Sequence, residues 1–375
     1  MTDQLKNILV LRFSAMGDVA LLAPVLRSFL HRYPNYQLTL ATRPKFSAFF
    51  FGLITLQKTR TSLRGDEAIR ITDEALKAPL TQFNFFSADV DGPYSGLPGI
   101  FKLFFDLRKS KPDLVLDLHD NIRTRIICFL FRMIGTRIIR FDKGRGEKKA
   151  ITRKQNKIRK SLAHTVERYQ QAFSKAGFSF PILSGPHLEI SNQAGEIVKD
   201  WLDSKQLIKN ENWIGLAPFA AHKSKIWPLE NYADLILAQQ AKAPTRFFLF
   251  GGGKTEIQFF ESLQKQFPDS CVVVAGQLKL EEEIALMHGM DKMICVDSSN
   301  MHIAALLGIP MISIWGGTHS DTGFGPYGNT DEKKVQIALD ELPCRPCSVY
   351  GTAHCHRGDF ACLTKIKVTD VGGLI

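Results

Sequence analysis

Asp18 stands in RFSAMGDVALLAP, residues 12–24, directly after Gly17 and between two apolar runs. Ile8-Leu9-Val10-Leu11 reads as a strand that ends just before this acid, and the run after it reads as a helix. A carboxylate in such a turn either caps the helix or takes a proton from something bound above the strand. A second group lies far along the chain in VDSSNMH (296–302). There a strand ends at Asp297, Ser298 or Ser299 is placed to cap the next helix, and His302 sits on its first turn. A helix start of this kind offers free N–H groups and a positive dipole to an anion. Lys225, in HKSKIWP (222–228), adds a fixed cation of the sort that neutralises a departing phosphate.

Other polar clusters are weaker. GGGKT (251–255) lacks the glycine that a phosphate loop needs at 248, where Phe248 stands. Its glycines still allow backbone N–H groups to approach a nucleoside or phosphate closely, with Glu256 placed to accept from ribose hydroxyls. The first strand is not followed by G-x-G-x-x-G, and no G-x-S-x-G or H-E-x-x-H occurs, which counts against hydride transfer, esterase and zincin chemistry. DVDG (89–92) matches a three-residue metal-holding spacing, and chance explains so short a match. DLHD (117–120) reads as a polar strand end, with His119 and Asp120 on the side of an acceptor. Cys344, Cys347, Cys355 and Cys362 crowd near the C-terminus, whereas Cys128, Cys271 and Cys295 sit in apolar runs. In a reducing compartment the four are free thiols or, less expectedly, a structural zinc site with His354 or His356 in competition.

The elements that must carry these residues alternate strand and helix. Strands are expected at 7–13, 36–42, 83–90, 113–119 and 136–142, with helices at 19–33, 100–109 and 122–134. The stretch 53–80 gives no clear pattern. A helix at 163–177 precedes a Pro-, Gly- and Ser-rich linker, and a second series follows. Its strands are expected at 212–219, 246–252, 271–277, 292–298 and 310–316, separated by helices at 229–242, 255–266, 280–290 and 299–308. Short, nearly all-apolar strands between helices mean parallel sheets covered on both faces. The expected organisation is therefore α/β: two doubly wound, Rossmann-like domains, 1–182 and 183–375, facing across a cleft at the carboxyl edges of their sheets.

The chain has 375 residues and a net charge of +11, much of it in KGRGEKKAITRKQNKIRK (143–160). That run suits an anionic partner or is simply solvated. No apolar run is long enough to span a membrane, and the N-terminus lacks the features of a signal peptide, so a cytoplasmic protein is expected.

Taken together the motifs resemble the ADP-heptose:lipopolysaccharide heptosyltransferase family, glycosyltransferase family 9, of GT-B fold. ILVLRFSAMGDVALLAPVLRSF, IGLAPFAAHKSKIWPLENYADLI and VVVAGQLKLEEEIALMHGMDKMICVDSSNMHIAALLGIPMISIWGGT carry the likeness, in that order. The resemblance implies an inverting transferase that needs no metal or other cofactor, with an ADP-sugar donor and a lipid-linked anionic oligosaccharide acceptor. It makes Asp18 the catalytic base and Lys225 a contact of the donor phosphates. The nucleotide-sugar would lie against Gly252, Gly253, Glu256, Leu278, Asp297, Ser298, Ser299 and His302. The acceptor would lie against Ser14, Met16, Gly17, His119 and Asp120. Ser298 and Ser299 stand where threonine and glycine are commoner, and Ala220 and Ala221 replace hydroxyl residues before the W-P lysine. Such an enzyme is expected at the inner face of the cytoplasmic membrane, held peripherally with Lys148, Lys149, Arg153 and Lys154 on acidic headgroups. The rival readings are a sugar-nucleotide epimerase of the same two-domain fold and a non-catalytic protein gripping nucleic acid through 143–160.

Overall fold

The computed structural model describes residues 6–54 and 82–375, so the unassigned stretch 53–80 lies almost wholly outside the described residues. Its contacts divide the chain into two compact units, residues 1–143 with 165–189 and residues 144–164 with 190–375.

The first unit is built on β1 (Lys6–Leu11), β2 (Tyr36–Thr42), β3 (Gln82–Ser87), β4 (Leu114–Asp117) and β5 (Arg137–Arg140). They form one parallel sheet in the order β3-β2-β1-β4-β5. The central strands β1 and β4 are buried because helices cover both faces, which is why their sequences are continuous apolar runs. The helices are α1 (Met16–Ala20), α2 (Ala23–Arg32), α3 (Gly96–Arg108) and α4 (Ile122–Met133). The single helix expected at 19–33 is two. A turn at Leu21–Leu22 separates them, and Pro24, which has no N–H to donate, sits in the first turn of α2. Leu9, Leu11, Leu103, Phe104, Ile127 and Phe131 form the core beneath α3 and α4.

The expected domain boundary at 182/183 needs correction. α5 (Arg145–Ile151) belongs to the second unit, and α6 (Thr165–Lys175) returns to the first. The reason is packing. Phe173, Phe178 and Phe180 close around Phe29 at ring distances of 4.9, 5.1 and 5.8 Å, and Leu183 N–H donates to Ser28 Oγ at 2.9 Å. The segment 144–164 is instead tied to the C-terminal part of the chain. Lys157 Nζ donates to the Pro346 carbonyl at 2.6 Å, and Arg159 to that of Leu339 at 3.1 Å. Lys148 is buried, with its ammonium over the rings of Phe324 and Tyr350.

In the second unit, α7 (Asn192–Ser204) is capped by Ser191, whose Oγ accepts from Ala194 N–H at 3.0 Å. Then β6 (Asn212–Ala217), α8 (Glu230–Gln240), β7 (Thr245–Leu249), α9 (Lys254–Gln266), β8 (Cys271–Val273), α10 (Leu280–His288), β9 (Lys292–Val296), α11 (Ser299–Leu307), β10 (Met311–Trp315) and β11 (Glu332–Gln336) follow. The sheet runs β11-β10-β9-β6-β7-β8, parallel throughout. Neither α7 nor β11 was among the expected elements. β11 reads EKKVQ: it is an edge strand whose charges blunt that edge and hide the period that marks a strand.

Each sheet has one place where the strand order reverses. In the first unit it lies beside β1, with β2 on one side and β4 on the other. In the second it lies beside β6, between β7 and β9. Open α/β sheets leave a crevice at the carboxyl ends of the strands at such a point, and ligands bind there.

Candidate active site

The carboxyl end of β1 carries Arg12 to Asp18. Asp18 falls in the first turn of α1, where its Oδ2 accepts from the N–H of Ala15 at 3.3 Å. The same oxygen lies 2.7 Å from Arg12 Nη2. Arg12 is buried and its other arm donates to the Leu118 carbonyl at 2.6 Å, tying the end of β1 to the end of β4. The rings of Phe141 and Tyr169 lie 5.8 and 5.7 Å from the guanidinium, and Tyr169 Oη donates to the backbone carbonyl of Asp18 at 3.2 Å. Asp18 is thus both a local cap and a fixed carboxylate; the two roles coexist.

His119 joins this group. The Phe13 N–H donates to Nδ1 at 3.4 Å, which leaves Nε2 to carry the proton, and Nε2 lies 3.3 Å from Ser14 Oγ. Burial first, then the charges of Arg12 and Lys143, push the imidazole down to about 3, so it is neutral near pH 7. It therefore orients the Ser14 hydroxyl and adds no charge. Asp117, next to it in sequence, is fully buried and accepts from His119 N–H and Asp120 N–H at 3.1 and 2.8 Å. Asp120 is held by Arg125 Nε at 2.8 Å and lies 3.4 Å from Arg140. Burial opposes its ionisation, but the Arg125 hydrogen bond and the Lys143, Arg125 and Arg140 charges together bring its carboxyl below the ordinary range. DLHD is a built network rather than a loose polar rim. The DVDG acids are also engaged: Asp89 Oδ1 accepts from the N–H groups of Asp91 and Gly92 at 3.3 and 3.0 Å, and Asp91 pairs with Arg43. Of the other expected acceptor residues, Gly17 is buried in α1, and Met16 is part-exposed at its start.

In the second unit, Lys225 ends a single turn, Lys223–Lys225, that follows β6. Its ammonium reaches Asp297 Oδ2 at 3.0 Å, and Thr318 Oγ1 donates to the same oxygen at 2.7 Å. Lysine and aspartate are both largely buried. Asp297 follows β9 and Ser298 holds the N-cap position of α11, yet no side chain caps that helix. The Ser298 Oγ is buried with no hydrogen-bond partner, so the expected serine cap is absent and the first-turn amides keep their capacity for an anion. Ser299 opens the helix, and His302 is buried one turn in. Trp227 and Pro228 precede α8; Trp227 is fully buried and donates from Nε1 to the Ile366 carbonyl at 3.1 Å.

The glycine turn after β7 is closed by Glu256, whose carboxylate accepts from Gly252 N–H at 2.7 Å. Burial raises its pKa against that hydrogen bond. A Cβ on Gly252 or Gly253 would meet nothing within 4 Å, so the turn is open on that side. Leu278 lies part-exposed in the loop after β8. All these positions share the carboxyl edge of one sheet.

Three residues of this site escaped the sequence reading. Arg12 has no motif beyond its place after a strand. Thr318 ends a glycine turn after β10. Arg345 is fully buried, and its guanidinium binds the carbonyls of Gly316, Trp315, Thr318 and Ile337. It thereby fixes the loop that brings Thr318 to Asp297. The cysteine-rich tail also backs the lysine turn. Thr352 N–H donates to Ser224 Oγ at 2.8 Å, and Gly317 N–H donates to the Ser224 carbonyl at 2.8 Å. The four cysteines of the tail form no disulfide among the described residues. Among the described residues no three His, Cys, Asp or Glu side chains gather as a metal-holding group. Cys362 turns into the apolar core, while Cys347 packs on the carbonyl of Gly317 at 3.5 Å.

Comparison with known proteins bears on the family and the fold. The model of glycosyltransferase family 9 (heptosyltransferase) matches residues 100–355. Lipooligosaccharide heptosyltransferase 2 of Haemophilus influenzae is 27% identical over 223 residues, which is 56% of this chain and 62% of that protein. Two solved structures share the fold. A family 9 glycosyl transferase of Veillonella parvula has TM-score 0.70 and 19% identity, over 99% of this chain and 96% of that one. The ADP-heptose lipopolysaccharide heptosyltransferase II of E. coli has TM-score 0.65 and 18% identity, over 98% and 97%. With a family match over most of its length on two doubly wound α/β units, the chain belongs to glycosyltransferase family 9, the heptosyltransferases, and is a glycosyltransferase.

Proposed function

We propose that this enzyme moves a heptose, or a related sugar, from an ADP-sugar to a hydroxyl of a lipopolysaccharide core acceptor, with inversion at the anomeric carbon. The observation that carries the reading is the cluster of Lys225, Asp297 and Thr318 beside the uncapped start of α11. A cation and a helix N-terminus at one sheet edge suit a diphosphate leaving group. Asp297 orients Lys225, and the donor phosphates supply a further counter-charge when bound. The open glycines 252 and 253 and Glu256 suit a ribose. The acceptor hydroxyl meets Asp18, which takes its proton as the oxygen attacks the anomeric carbon, and the C–O bond to the diphosphate breaks. Arg12 holds Asp18 in place, and the Ser14 hydroxyl, oriented by neutral His119, is a ready partner for the acceptor. The protein's own charges serve the leaving group, so no divalent cation is needed in this scheme. The lipid-linked acceptor places the enzyme at the inner face of the cytoplasmic membrane.

A nucleotide panel tests the donor side. ADP and ADP-sugars should raise the melting temperature well above the effect of UDP or GDP, with or without EDTA, because a ligand that binds only the native state stabilises it. Lys225→Ala should abolish that gain. Equal shifts for all nucleotides, or transfer that disappears in EDTA and returns with magnesium, would overturn the scheme.

A further inference from the structure

α3 and α4 lie side by side over one core, with the rings of Phe104 and Phe131 at 4.9 Å. Their inward faces are regular: Ile100, Leu103, Phe104 and Leu107 on α3, and Thr124, Ile127, Cys128 and Phe131 on α4 are buried. Their outward faces are not what a solvated helix shows. Leu97, Phe101 and Phe105 recur at four-residue spacing on α3, while Ile122, Phe129 and Met133 lie along one stripe of α4. Each is exposed, from 46% at Phe101 to 79% at Ile122. Single apolar side chains on a surface are ordinary; two neighbouring helices that each turn a stripe of them outward mark a contact face.

The charges say what kind of partner fits. The two helices carry five cations, Lys102, Arg108, Arg123, Arg125 and Arg132, and one acid, Asp106. Asp106 is already used by Lys109 Nζ at 2.6 Å and Tyr94 Oη at 3.0 Å. Arg125 is paired with Asp120 and Arg123 donates to the Val90 carbonyl, which leaves Lys102, Arg108 and Arg132 in excess over the one acid of the two helices. Large apolar side chains beside such an excess of cations match the boundary between acyl chains and anionic headgroups. A second copy of the chain fits poorly, since an isologous contact would set these cations against each other with no acid to receive them. No helix among the described residues is long and apolar enough to cross a membrane, so contact through this face is peripheral.

We infer that the outward face of α3 and α4 is the surface by which this enzyme docks on an anionic phospholipid bilayer. The assignment rests on the membrane location proposed above and moves the contact away from part of the basic run. Lys148 is buried, and Lys157 and Arg159 are bound to backbone carbonyls of their own unit, so they are not offered to headgroups. The placement suits a lipid-linked acceptor. Ile122 is the first residue of α4, next to the Asn121 cap and two positions from Asp120 at the acceptor edge. Docking here holds that edge close to the bilayer surface.

Sedimentation of the full chain with vesicles of phosphatidylglycerol and phosphatidylcholine, and with phosphatidylcholine alone, tests this. The wild type should bind the anionic vesicles, more weakly as salt rises. Phe101→Ser with Phe129→Ser should cut the partition coefficient by about tenfold or more while leaving circular dichroism, melting temperature and ADP binding as in the wild type. Lys149→Ala with Arg153→Ala and Lys154→Ala should change it far less. If the wild type binds neither vesicle, both the face and the membrane location fall. Binding by the wild type that survives in the Phe101/Phe129 variant, or is lost only in the Lys149/Arg153/Lys154 variant, rejects this face alone. A wild-type dimer that the Phe101/Phe129 variant makes monomeric, without vesicle binding, makes it an interface between copies instead.

Discussion

Asp18 works beside a buried guanidinium, and that pairing sets what its replacement should do. Asn keeps an oxygen for the Ala15 N–H but cannot accept the acceptor's proton. Asp18→Asn should lower kcat by a factor of about 10² to 10⁴ with donor affinity unchanged, as expected of a lost general base. It also leaves Arg12 buried without its counter-charge, which should destabilise the protein by up to about 3 kcal/mol. Single-turnover assays well below the new melting temperature separate the two effects; near-normal turnover would remove Asp18 from the proton's path. Asp18, Lys225 and Asp297 were legible as residues because acids and lysines at strand ends are conspicuous. Their partners were not. Nothing in the order of residues joins Arg12 to Leu118 or Thr318 to Asp297, because those contacts run between strands that are neighbours only in the sheet.

At the scale of elements, a chain segment that looked incidental holds the lysine. The tail from Cys344 to Cys362 reads as a thiol cluster, yet its backbone packs on the turn that carries Lys225. Gly351 shows this most directly. It has φ of +98°, and a Cβ there would lie 2.7 Å from His222 Cβ and 2.8 Å from Lys225 Cδ. Gly351→Ala should therefore displace Lys225 and weaken ADP binding about tenfold, measured by calorimetry, with a stability loss of about 1–3 kcal/mol from the strained backbone. Unchanged affinity would mean that the tail does not set the lysine. The four thiols are also neighbours: burial first, then the other cysteines, raise the pKa of Cys347 and of Cys362. The fold itself was easier to read, since buried parallel strands are continuous apolar runs. β11 was missed because an edge strand meets water, and α2 was merged with α1 because periodicity does not register a one-turn break.

For the whole molecule, neutral histidines, buried or part-buried, make acid the weak side. Burial pushes His119 down to about 3, and His164 and His187 down to about 4, from an ordinary value of 6.5. The unfolded chain takes up these protons near pH 6.5 and the folded chain resists until far lower. Between those values the unfolded state binds more protons, so stability rises with pH there and is lost as pH falls from about 6.5 to 4. His119 and His187 belong to the first unit and His164 to the second, so both should soften. Melting followed by calorimetry at pH 7.5 and 5.0 should show a lower temperature at the acid value, and an unchanged profile would show that these imidazoles are not buried as described.

The sequence by itself determined two doubly wound α/β units, the strand ends that carry Asp18, Lys225 and Asp297, and the family resemblance, because apolar runs and strand-end motifs are local and survive in one dimension. Tertiary structure alone decided that residues 144–164 join the second unit, that Arg12 and Arg345 are buried guanidiniums clamping the site's loops, and that α3 and α4 turn apolar stripes outward. Each of these depends on which side chains the folded backbone brings within a few ångströms or leaves in water, and residue order does not fix that without the sheet that arranges it.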